Sequence, residues 1–147
     1  MAAATNAISY STEVPRTQTA LVLAGRVLLA LIFVMAGATH FSKQTIAFAA
    51  SQGVPLASLA VPLSGLIALA GGLSVMLGYC AKIGAWLIVL FLVPVTFTMH
   101  KFWAAPDPMI AQMQMVMFMK NISILGGALL ISQFGAGPLS LDARHSK

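Results

Sequence analysis

The sequence predicts an all-α fold, an integral-membrane, antiparallel four-helix bundle, and three observations carry that prediction. Hydrophobic residues make up 59% of the 147-residue chain and charged ones 7%, against roughly 25% charged in soluble domains. The mean hydropathy is +0.93, so the solvent is lipid. Four apolar stretches are each long enough to cross a bilayer, which takes about 20 residues at 1.5 Å per residue. Open strands would leave backbone groups unsatisfied in lipid, and no alternating ten-residue segments of the barrel type are present.

The elements follow in chain order. Residues 1–19 (MAAATNAISYSTEVPRTQT) are small and polar with no apolar period, and read as a flexible N-terminal tail. A single domain occupies residues 20–134. Its first span is 20–41, where Ala36-Gly37-Ala38 imitates a signal-peptidase site. The run is long for a signal segment and three more spans follow, so an uncleaved helix is expected. Residues 42–57 are too short and too polar to span. Ile46, Phe48 and Ala49 against Lys43, Gln44 and Gln52 suggest an interfacial helix ended by Gly53 and Pro55. The second span, 58–79, has Pro62 in its first turn, where a missing N–H matters little. The third, 82–103, contains Pro94, which should kink it. The loop AAPDPM then leads into the fourth, 110–134, and residues 135–147 form a short C-terminal tail. Short connections make the helices antiparallel neighbours.

Charge and cysteine usage narrow the function. The net charge of +5 comes from cations scattered singly, with no basic run, which argues against nucleic acid and for the flanks of membrane helices. Arg16, Lys82, Arg144 and Lys147 fall on the side of the termini, and Lys43 and Lys101 on the other. That asymmetry places both termini in the cytoplasm of a multi-pass protein of the inner membrane. Tyr79 and Trp86 then belong to the inner aromatic belt, Phe102 and Trp103 to the outer. A single cysteine, Cys80, excludes an intramolecular disulfide, a CxxC relay and a Cys-rich metal site.

Polar residues inside the bilayer are the candidate site. Lys120 lies ten residues into the fourth span, near 15 Å deep and close to the midplane. An ammonium there costs about 2.5–3.5 kcal/mol on insertion scales, which makes it a functional hypothesis by default. The carboxylates, Glu13, Asp107 and Asp142, are all in tail or loop, so no span supplies a counter-charge. Either neighbouring carbonyls and Asn121 satisfy the lysine, or a ligand or another subunit does. Arg26 is about 8 Å below the terminal-side surface, placed to snorkel to lipid phosphates or to pair with Asp142. His40 and His100 end the first and third spans at equal depth. They face headgroups, bracket a b-type haem, ligate a metal, or hydrogen-bond a quinone head beside Gln112 and Lys120. Among the alternating methionines, Met113 and Met117 share a face and with His100 form a copper candidate, against the simpler reading of adaptable packing. Gly71, Gly72, Gly126 and Gly127 read as close-approach positions between helices.

Several of these stretches resemble the DoxX family of small bacterial and archaeal membrane proteins. They are KNISILGGALL (120–130), GAGPLSLD (135–142), GRVLLALIFVMAG in span one, QGVP (52–55), AGGLSVMLGY in span two and HKFW from His100. The resemblance covers about residues 26–142. It implies the four-helix bundle seen across the DoxX and MauE relatives, and an association with membrane redox chemistry such as a thiosulfate:quinone oxidoreductase. Two positions depart from the family pattern: Ala68 stands where many members have glutamate, and His40 where many have lysine. Lys120 then lacks the family's internal partner.

The expected function is a non-catalytic integral subunit of a larger, quinone-linked redox complex, which it anchors or stabilises while shaping a quinone or lipid site. The chain offers no nucleophile–base set and no cysteine pair, so catalysis by it alone is not expected. The rivals are a quinone-reducing oxidoreductase subunit and a small transporter or copper-handling protein.

Overall fold

A computed structural model describes residues 15–145, and among them the chain is all-helical with no strand. The elements are α1 (Arg16–Thr39), α2 (Lys43–Ser51), α3 (Ala57–Leu77), α4 (Ala81–Met99), a 3-10 turn (Phe102–Ala104), α5 (Pro108–Phe134) and α6 (Leu141–His145). Four of these helices are long and apolar enough to cross a membrane. The structure is therefore the four-helix membrane bundle. The expected tail lies outside the described residues as far as residue 14.

Boundaries move from the expected ones for local reasons. Pro15 stands at the N-cap of α1, so the helix starts at Arg16 and takes in the polar turn that the hydropathy pattern left out. Asp107 accepts from the backbone N–H groups of Met109 (2.8 Å) and Ile110 (3.1 Å), and Pro108 takes the first helical position. A capped start with proline at that position needs no apolar residue, so α5 begins before Ile110. Ser42 caps α2 by accepting from Thr45 N at 3.2 Å. Helix α3 starts at Ala57, which puts Pro62 past the first turn expected for it. At the other end Gly78, at φ 67°, closes α3 as Tyr79 N–H donates to Ser74 C=O at 3.0 Å, a Schellman-type stop.

The bundle is held by small residues. The core cluster includes Ala30, Phe33, Ala68, Val75, Ala85, Ile88, Phe91 and Ala128. Large leucines point outward instead, among them Leu28, Leu66 and Leu130. In lipid there is no gain from hiding leucine, so close backbone approach decides what lies inside. Helix α1 packs along α3, α3 along α4 and α4 along α5. A Cβ at Gly71 would stand 2.9 Å from the Gly84 carbonyl of α4, and one at Gly72 would stand 3.0 Å from Phe33 Cβ of α1. Gly127 meets Leu29 of α1 at 2.5 Å. The packing expectation is not met at Gly126, where a Cβ would find nothing within 4 Å. Adjacent helical positions differ by about 100°, so the pair cannot both face one neighbour.

Two non-glycine residues sit at positive φ, Leu56 (49°) and Cys80 (48°), each preceding a long helix. An L-residue in this region is disfavoured by roughly 1–2 kcal/mol, part of which glycine recovers. Cys80→Gly is expected to stabilise the protein by about 0.5–1 kcal/mol, read as a Tm about 1–4 °C higher in a detergent melt. An unchanged or lower Tm would refute the strain.

Candidate functional site: a polar cleft between α1, α4 and α5

Helices α1 and α5 share no seam like the other three. Near the termini they close through Leu29 and Gly127. Toward the opposite end they part, and a cavity of about 160 Å³ opens there, lined by Phe33 and Ala36 of α1, His40 just past its end, Phe91 and Leu92 of α4, His100, and Lys120 and Asn121 of α5. Four of the six sequence-predicted ligand residues therefore meet around one space.

Their bonding divides them. Asn121 is 6% exposed, and its Nδ2 donates to Thr96 Oγ1 at 3.1 Å, while Thr96 donates to the Leu92 carbonyl at 2.6 Å. Its Oδ1 accepts nothing among the described residues. His100 shares a 2.8 Å hydrogen bond between Nδ1 and Gln114 Oε1. His40 Nδ1 meets the Ala36 carbonyl at 2.5 Å, and its ring stands edge-on to Phe91 at 5.6 Å. Two polar rungs, Thr96–Asn121 and His100–Gln114, thus pin α4 to α5. The Lys120 ammonium has no hydrogen bond or ion pair among the described residues. It is the unmatched charge at the mouth of the cleft.

Gln112 does not line the cleft. It stands nine positions before Asn121, about half a turn off that face, and is exposed. Gln114 is seven positions before Asn121, two turns, and so shares its face. That spacing, read against the Thr96 and His100 pair four apart on α4, is the signal that could have found both rungs. Met113 is 55% exposed, and neither it nor Met117 lines the cleft. Among the described residues no three His, Cys, Asp or Glu side chains gather as a metal set.

Arg26 belongs to a different feature at the terminal end. It is 4% exposed and donates through Nη1 to the Ala136 carbonyl and through Nη2 to that of Leu139 at 2.8 Å. It therefore binds the chain's own GAGPLSLD segment and does not snorkel. Asp142 acts on that guanidinium electrostatically but forms no ion pair with it among the described residues. Its carboxylate caps α4 instead, accepting from Cys80 N at 2.7 Å and Ala81 N at 3.0 Å. Asp142 N–H returns to the Gly78 carbonyl at 2.8 Å. Sequence reasoning singled out this motif for its distinctiveness and missed that it is a latch.

Four apolar helices define a membrane-embedded, multi-pass protein, and among the described residues no carboxylate lines the cleft beside Lys120. The chain belongs to the SURF4 family, whose model matches residues 5–147. It is similar to the inner membrane protein YphA of Escherichia coli K12, at 29% identity over 84% of this chain and 89% of that one. It is also similar to the inner membrane protein YqjF of the same organism, at 30% identity over 86% of this chain and 92% of the other. No solved structure matches. The SURF4 match overturns the DoxX assignment. The motifs behind that resemblance have structural work in this fold: QGVP ends α2, and GAGPLSLD is the latch on Arg26. Ala68, fully buried in the core, fits packing and needs no reference to a missing glutamate.

Proposed function

We propose that this protein is a non-catalytic integral subunit of the bacterial inner membrane whose cleft takes up an anionic group supplied from outside the chain. One observation carries this reading: Lys120 lines the cleft with Asn121, His40 and His100, and nothing among the described residues neutralises it. A lone ammonium in hydrocarbon is expensive, so a group that meets it there is held firmly. The redox and quinone parts of the expectation rested chiefly on the DoxX resemblance and fall away with it. Residence in the inner membrane is supported by the descriptions of YphA and YqjF. Cytoplasmic termini are supported by the excess of Arg and Lys on the terminal side. A reporter fused after Lys147 should be active only in its cytoplasmic form.

Lys120→Leu tests the main reading. Purified from membranes in mild detergent, the wild type should carry a co-purifying subunit or lipid that the variant loses by at least about tenfold, the weight of one charge-assisted hydrogen bond. A variant that keeps its full complement and only melts higher would show that the cation is merely tolerated.

A further inference from the structure

A second, larger space of about 500 Å³ lies beneath α2 at the same end of the bundle. Its sides are Thr45 and Ala49 of α2, Leu63 and Ile67 of α3, and Leu90 and Pro94 of α4, nearly all hydrocarbon. It shares a wall with the polar cleft, formed by His40, Phe91 and Val95, which line both. A small cation-bearing cavity thus abuts a larger apolar one.

Resting on the reading that Lys120 is neutralised from outside the chain, we infer that the two spaces form one site for a long-chain fatty acid. Its carboxylate sits at Lys120, and its chain passes the His40–Phe91 edge into the groove under α2. Charge complementarity chooses the head. The cleft offers a single ammonium, which one carboxylate matches, in a space of about 160 Å³. A phosphate monoester brings about −1.5 to −2 charges, and a phosphodiester, though singly charged, brings a second ester arm that the same space would have to hold. A second copy of this chain cannot play the part, because Glu13, Asp107 and Asp142 all lie outside the spans. The groove accounts for the chain, since its nearly all-hydrocarbon lining suits an acyl tail.

The test uses the full-length wild-type protein in detergent with a sixteen-carbon fatty acid that bears a photoreactive diazirine at its chain end. Peptide mass spectrometry should find the label on the groove residues of α3 and α4, near Leu63, Ile67, Leu90 and Pro94. Palmitate should displace it at least about tenfold better than hexadecan-1-ol, which lacks the charge. Lys120→Met should cut groove labelling at least about tenfold, and Lys120→Arg should keep most of it. Label on the outward faces of α1 and α5 would overturn the groove assignment. Equal competition by the alcohol, or labelling indifferent to Lys120→Met, would overturn the pairing with Lys120. If Lys120→Leu releases a protein subunit while no saturable labelling occurs, this inference fails and the functional reading above stands, with a partner helix as the occupant.

Discussion

Asp142→Ala is expected to lower the stability of the purified protein by about 2–3 kcal/mol, or roughly 5–10 °C in Tm. The carboxylate is the N-cap acceptor of α4, taking the N–H groups of Cys80 and Ala81 at 2.7 and 3.0 Å. Loss of such a cap costs about 1–2 kcal/mol. The rest of the effect comes from Arg26, which is 4% exposed and depends on the same segment for its hydrogen bonds. Without Asp142 that segment loses the two side-chain bonds that tie it to the start of α4. Asp142→Asn should fall between, because an amide oxygen still accepts one N–H while the charge is gone. Detergent melts of the three proteins, with limited proteolysis of residues 135–145, read both parts. A Tm within a degree of wild type for the alanine variant would refute the latch.

Gly37→Val should destabilise the bundle by about 3 kcal/mol or more. A Cβ at Gly37 would lie 2.7 Å from Leu69 Cγ, 2.9 Å from the Gly65 carbonyl oxygen and 3.0 Å from Leu69 N. Two of those neighbours are backbone, so no rotamer change relieves the overlap and α1 must move off α3. Gly65 makes the reciprocal contact, with a Cβ there 2.6 Å from His40 Cβ and 3.0 Å from the Gly37 carbonyl. Overpacking alone costs about 1–3 kcal/mol, and here it would also displace His40 from the cleft. Gly126→Ala is the control: it meets nothing within 4 Å and should be neutral or gain up to about 1 kcal/mol from helix propensity. Size-exclusion profiles and melts of both variants decide the matter. If Gly37→Val behaves like the control, the α1–α3 crossing is wrong.

Much of the cleft was legible in the chain, and what was missed had a physical cause. Lys120 could be singled out because charge in an apolar run is visible without coordinates. His40 and His100 could be paired because two helix ends lie at equal depth. Gln114 went unnoticed because its bond to His100 depends on the helical phase of α5 against α4, which hydropathy does not display. Gly37 and Gly65 were overlooked as a contact because a close crossing depends on two helices at once. Arg26 was read against lipid or Asp142, although its partners are carbonyls that arrive from 110 and 113 residues further on.

The sequence by itself determined the class: an apolar composition with four spanning stretches leaves a helical bundle as the solution that satisfies every backbone group in lipid. It also determined that no span carries a carboxylate, and hence that Lys120 is without a counter-charge from its own helices. Only the tertiary structure decided that α1 and α5 part at one end, so that Lys120, Asn121 and two histidines border a common cavity. It also decided that Arg26 is held at the other end through Nη1 and Nη2, with its Nε buried and unpartnered among the described residues, where the C-terminal segment folds back across the α3–α4 turn. Hydropathy fixes depth along the membrane normal, because the bilayer imposes that coordinate on every residue alike. Which helix stands beside which, and which face it turns inward, depends on close contacts between small residues far apart in the chain.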